Sequence, residues 1–137
     1  MTRRSLVVTD ASLVLASLLY PGAIGAWAST VLTGHTLAAP ELMPAETTNA
    51  LRKAVLARTA SQEEAAIVLA ELQDLRVVYY PFAPFMERVW ELRAHVTSYD
   101  AWYVALAESL DAPLATIDRR LANATGARCR FLVPSDA

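Results

Sequence analysis

Two short apolar runs, Leu6-Val7-Val8 and Leu114-Ala115-Thr116-Ile117, each lead into an aspartate, Asp10 and Asp118. Runs of this length and branching read as buried strands, so each aspartate falls just past a strand's carboxyl end. In open parallel sheets ligands bind at that edge, where the strand order reverses. If the two strands are neighbours they lie ~4.8 Å apart, and both carboxylates meet in one cleft. Such a pair repels unless a proton or a metal ion is shared. Each aspartate alone also fits a plainer role, as N-cap of the helix that follows. The matching positions of the two point toward chemistry.

Two more carboxylates extend the pattern. Glu46 lies one turn inside a helical stretch, on the face of Asn49, among mainly apolar neighbours. A carboxylate in that setting needs a partner, although a first-turn glutamate favoured by the helix dipole accounts for it taken alone. Asp100 opens the segment Ser98 to Leu110, which is apolar nearly all round and so reads as a buried helix. There it fits a dipole partner and a ligand equally. Four carboxylates without a histidine or cysteine cluster suit a hard, oxygen-loving cation, magnesium or manganese rather than zinc. His35 and His95 have no ligand spacing and read as ordinary polar contacts. Magnesium on a few carboxylates, with water and a phosphate completing its shell, is the arrangement for phosphodiester hydrolysis.

The elements that must position these residues can be read along the chain. Strands are expected at 6–8, 35–39, 77–80, 114–117 and 131–133. Helices are expected at 12–20, with Ser12 as cap, and at 23–32, 44–58, 84–96, 98–110 (capped by Ser98) and 119–124. A further helix to residue 75 opens on the capping box Ser61-Gln-Glu-Glu64. Strands alternating with helices imply a parallel sheet covered on both faces. The expectation is one α/β domain, residues 1–137, a three-layer α/β/α sandwich with a central parallel sheet of about five strands.

Composition narrows the partners. The chain is 55% hydrophobic and 19% charged, which implies a large core, a subunit interface or a membrane role. A net charge of -2 gives no overall basic field. The single cysteine, Cys129, has no internal disulfide partner and reads as a small core residue of a protein in a reducing compartment. Arg3-Arg4 and the apolar residues through Ala28 superficially resemble a signal peptide. Asp10 early in the apolar run and the Pro21-Gly22 break argue instead that the first 28 residues belong to the fold. No stretch reaches 18 uninterrupted apolar residues, so the reading is cytoplasmic, with no membrane span.

Taken in order, the motifs resemble those of PIN domains. Val7-Val8-Thr9-Asp10-Ala11-Ser12 is similar to their opening strand, and Pro40-Glu41-Leu42 with Glu46-Thr47-Thr48-Asn49-Ala50-Leu51 to their second motif. Tyr99-Asp100-Ala101 with Ala105-Leu106-Ala107-Glu108, then Ala112-Pro113-Leu114, Thr116-Ile117-Asp118 and Arg120-Leu121, resemble the third and fourth. The size matches VapC toxins of bacterial toxin–antitoxin pairs. The resemblance implies an endoribonuclease whose acidic cluster is Asp10, Glu46, Asp100 and Asp118, holding Mg2+, with Mn2+ able to substitute. It implies that Ser12 and Thr116 support the cluster and that Asn49 steadies Glu46. It also implies an RNA substrate, a cognate antitoxin that blocks the cleft, and a homodimer. Some relatives carry a further acidic residue where this chain has Leu121, which leaves one or two metals open.

Away from the four ligands, ten acidic and twelve basic residues remain. Arg119, Arg120, Arg52 and Lys53 are candidates to meet the phosphate backbone, or else lie on solvated helix faces. Trp102 and Tyr103 read as core packing rather than base stacking. Three rival readings stand beside this one: a catalytically silent PIN-fold module binding RNA or protein, an exported or membrane-associated helical protein, and a DNA nuclease with the same metal logic.

Overall fold

The computed structural model describes residues 4–135; Arg3, half of the N-terminal arginine pair, lies outside them. Leu6–Thr9 forms β1, and its consecutive residues Val7, Val8 and Thr9 are all fully buried. Successive strand residues point to opposite faces, so both faces of β1 are covered. The chain continues as α1 (Ala11–Leu19), α2 (Gly22–Gly34), β2 (Thr36–Pro40), α3 (Met43–Leu56), α4 (Gln62–Asp74) and β3 (Val77–Tyr80). A 3-10 turn at Ala83–Phe85 leads to α5 (Met86–Glu91), α6 (Ser98–Leu110), β4 (Leu114–Ala115), α7 (Arg119–Ala122) and β5 (Phe131–Leu132). The five strands form one parallel sheet in the order β3-β2-β1-β4-β5. Val8 pairs with Leu114 and Thr9 with Ala115, so the two aspartate-bearing strands are neighbours. The order reverses at β1, which puts the switch point between β1 and β4.

Helix α6 packs on β1, β2 and β4, and its residues from Ala101 to Ala107 are all buried. Among α1, α3 and α4 a smaller apolar seam forms from Leu15, Leu51 and Val68. Residues 6–34 enter this architecture as the central strand and two helices. No single helix among the described residues is long and apolar enough to cross a membrane; α1 and α2 reach that length only together, and they bend by 117°. The apolar N-terminus is therefore spent on core contacts through Leu13, Val14, Ala16, Ala28 and Val31.

Several boundaries differ from the sequence expectation. Asp10, not Ser12, caps α1, and Thr97, not Ser98, caps α6. The expected helix 84–96 is a 3-10 turn followed by six α-helical residues. At its end the N–H of Leu92 meets the carbonyls of Arg88 and Val89, tightening the last turn so that buried Leu92 closes it. The fourth strand stops at Ala115 because Thr116 turns its hydroxyl to accept from the N–H of Asp118, at 2.9 Å. The capping box is present, with Ser61 and Glu64 bonding each other's backbone at 3.0 and 2.9 Å. Cys129 lies in a bend before β5, half-buried against the core, and burial raises its thiol to about 11, so it stays protonated and unreactive.

Arg88 fastens α5 to α6. Its guanidinium donates to both carboxylate oxygens of Glu108, at 2.7 and 3.0 Å, and to the carbonyl of Gly126 at 2.7 Å. Burial alone would raise the pKa of Glu108, but the bonds from Arg88 and from the N–H of Arg128 hold it below the ordinary glutamate value. A depressed carboxylate pKa stabilises the fold above the ordinary value, and that stability is lost as pH falls through the depressed one. Arg88→Met should therefore cost about 2 kcal/mol at neutral pH, since it leaves a largely enclosed carboxylate unpaired. Denaturant titration at pH 7 and below pH 4 checks this: the penalty should shrink at the lower pH, and a pH-independent penalty would mean lost packing alone.

Candidate acidic site

Asp10 stands at the end of β1, and its carboxylate is held from three sides. Oδ1 accepts from the N–H of Leu13 at 2.9 Å and from the Ser12 hydroxyl at 2.8 Å. Oδ2 accepts from the Thr116 hydroxyl at 2.5 Å. Thr116 lies just past β4, so this bond staples the two strand ends together. A carboxylate offers about four acceptor positions, and three of them are filled here, which leaves Asp10 about one to offer outward. Asp10 is 6% exposed, and burial pushes its pKa up to about 6. The bonds from Thr116, Leu13 and Ser12 pull it back, and the charge of Asp118 adds to the rise.

Asp118 caps α7, its Oδ1 accepting from the N–H groups of Arg120 and Leu121 at 3.0 and 3.3 Å. Each aspartate thus caps a helix, and the two lie within electrostatic range of each other. Asp100 sits in the first turn of α6, below the cap made by Thr97. Burial and then Asp118 raise its pKa, while Arg120 lowers it. Glu46, in the first turn of α3, is half-buried. Burial raises its pKa, a 2.6 Å hydrogen bond from the Tyr103 hydroxyl opposes that rise, and Asp100 adds to it. Repulsion therefore runs in a chain from Asp10 to Asp118, to Asp100, to Glu46. Residues from all four motifs are thus coupled electrostatically, two of them at the ends of the neighbouring strands β1 and β4.

Asn49, expected to steady Glu46, is exposed on α3; the hydrogen bond to Glu46 comes from α6 instead. Tyr103 is 2% exposed, as its apolar helix predicted, but its hydroxyl belongs to the site, and burial with three nearby carboxylates pushes its pKa far up. Trp102 packs edge-on against Phe82, their centroids 5.1 Å apart. Of the basic residues, Arg120 lines a recess of about 180 Å3 with His95, Thr97 and Asp100. Arg119 donates to the carbonyl of Pro134, and Arg52 and Lys53 are exposed on α3. His35 bonds the carbonyl of Val31 at 2.8 Å, a local polar contact.

The family model for the PIN domain matches residues 7–127, a span that contains all four carboxylates. The chain belongs to the PIN-domain family. Among the relatives of this PIN domain is Ribonuclease VapC1 of Mycobacterium tuberculosis, 44% identical over 125 residues, covering 90% of this chain and 94% of the relative. Ribonuclease VapC9 of the same organism is 35% identical over 128 residues, with 93% and 98% covered. Among solved structures, PAE2754 from Pyrobaculum aerophilum superposes with a TM-score of 0.65 at 25% identity, covering 93% of this chain and 83% of that one.

Whether this PIN domain suits a cation depends on its donors. Among the described residues no group of three or more His, Cys, Asp or Glu side chains is drawn together as a ready-made cage. Zinc and calcium favour such cages; magnesium keeps several waters, so one or two carboxylates can bind it directly and others through those waters, with substrate phosphate completing the shell. Asp10, with about one acceptor position to offer, and the three carboxylates coupled to it in turn fit a hydrated hard cation.

Proposed function

We propose that this PIN domain is the toxin of a VapBC-type toxin–antitoxin pair and hydrolyses RNA phosphodiester bonds with Mg2+ held by Asp10, Glu46, Asp100 and Asp118. The observation that carries this reading is that Asp10 and Asp118 stand at the carboxyl ends of the neighbouring strands β1 and β4, with Asp100 and Glu46 coupled to them in turn. Ser12 and Thr116 hold the two oxygens of Asp10, so that carboxylate reaches the cation already oriented. When bound, Mg2+, or Mn2+ in its place, supplies Lewis-acid polarisation of the scissile phosphate and lowers the pKa of the attacking water. Burial lifts the proton affinity of Asp10, Glu46 and Asp100, which equips a carboxylate of the site to accept that water's proton. Arg120, beside Asp100 in the recess, meets a flanking phosphate, and Arg52 and Lys53 extend the contact along α3.

The names of the relatives support the RNA substrate. Matching folds include VapBC2 from Rickettsia felis bound to promoter DNA (TM-score 0.64, 13% identity, 95% of this chain and 99% of that one), which agrees with a cognate antitoxin closing the cleft. A homodimer agrees with exposed Leu56, Ile67, Met86, Trp90 and Tyr99, which are large apolar side chains for a free surface. Incubation of the purified protein with a mixed structured RNA pool tests the activity. Cleavage should require Mg2+ or Mn2+, stop in chelator and return on adding the metal. Cleavage that survives chelation would sink the metal mechanism. RNA binding without cleavage would favour a silent module.

A further inference from the structure

We propose that Tyr103 is the positioning residue for Glu46, fixing the α3 carboxylate in register with Asp100; the proposal rests on the ribonuclease reading above. Asp100 and Tyr103 are one turn apart on α6 and so share a face. The Tyr103 hydroxyl donates to Oε1 of Glu46 at 2.6 Å, across 57 residues of chain. It also lies within electrostatic range of Asp10 and Asp100.

Glu46 has little else to hold it. The N-cap of α3, Leu42, contributes no side-chain hydrogen bond, and the neighbouring Thr47 hydroxyl turns back to the carbonyl of Met43. A glutamate side chain loses considerable rotamer entropy when ordered, and the charge of Asp100 pushes this one away. The phenol opposes both effects. It occupies Oε1 and leaves Oε2 as the oxygen to face a cation. Tyr103 is itself fixed by burial in the core, so the carboxylate inherits the rigidity of α6.

Tyr103→Phe removes the hydroxyl and keeps the ring. Outer-shell hydrogen bonds of this kind set metal affinity by about 10–100-fold, and the variant should bind Mn2+ more weakly by that factor, as read by the resonance of free Mn2+. Its RNA cleavage should fall at low Mg2+ and recover as Mg2+ is raised, with KM for RNA unchanged. In a Glu46→Gln background the same substitution should leave Mn2+ affinity where Glu46→Gln alone puts it. Two results would overturn the proposal: Mn2+ affinity equal to wild type, or an equal loss in both backgrounds. A thermal melt in chelator separates a folding defect, because a structural role alone lowers the melting temperature without moving Mn2+ affinity. If the wild type neither binds Mn2+ nor cleaves RNA, this proposal and the ribonuclease reading fall together; if it does both and Tyr103→Phe does not differ, only this one falls.

Discussion

Asp10→Asn should abolish metal-dependent cleavage while making the metal-free fold more stable. The first effect follows from the site. Losing an outer-shell partner costs about 10–100-fold, so losing a ligand's charge should cost at least about 100-fold in activity. The second follows from burial. Desolvation raises the pKa of Asp10 from 3.8 to about 6, against the pull of Thr116, Leu13 and Ser12, so at neutral pH the folded state holds an ionised group it would rather protonate. A shift of that size corresponds to about 3 kcal/mol. Asparagine keeps the shape and can still accept from Leu13, and its amide can donate to Thr116. Weaker bonds to the hydroxyls should return part of the gain, leaving a stabilisation of about 1–2 kcal/mol. The pH dependence has a definite sign. A carboxylate pKa raised on folding means the native state binds more protons between about 4 and 6, so this contribution to stability falls as pH rises through that window. Asp10→Asn should lack that slope. Melts in chelator from pH 4 to 8 would show it, and a large loss of apo stability would refute the account.

Gly25→Ala should be the most damaging single methyl addition at the α1–α2 corner. A Cβ at Gly25 would lie 1.9 Å from the carbonyl oxygen of Tyr20, 3.0 Å from its carbon and 3.1 Å from the carbonyl oxygen of Ala16. All three are backbone atoms, so no side-chain rotation relieves the contact. The two helices must separate, and they carry Leu13, Val14, Ala28 and Val31 into the core. Overpacking of this kind costs about 3 kcal/mol. Because Asp10 caps α1, the site should loosen with it. Denaturant titration would measure the loss, and a variant within about 0.5 kcal/mol of wild type, the range of neutral surface changes, would contradict the close packing. Gly34, with nothing within 4 Å of its Cβ position, serves as the control.

Much of the fold was legible because local signals agreed with the tertiary demand. The bounds of β3 and α6 follow from Val77-Val78-Tyr79-Tyr80 before Pro81, and from an apolar helix opened by Thr97-Ser98. Where local chemistry offered two equivalent choices, packing decided. Asp10 and Ser12 can both cap α1, as Thr97 and Ser98 can both cap α6, and the sequence does not say which lies in extended backbone. The aspartate pair was legible because two strand ends carry the same residue type. The partner of Glu46 was not. Asn49 is the local candidate at helical spacing, whereas Tyr103 comes from another helix and looked like core, which its ring is. Gly25 gave no signal either, since a close approach between helices leaves no mark on neighbouring residues.

The central claim is that these four carboxylates are the cleaving centre, and Asp100→Asn tests it most directly. Wild type and variant, purified in parallel, should be given the same mixed RNA pool with saturating Mg2+. The account predicts cleavage by the wild type and none by the variant, with both melting cooperatively. Equal cleavage by a folded Asp100→Asn protein would remove Asp100 from the site and contradict the account.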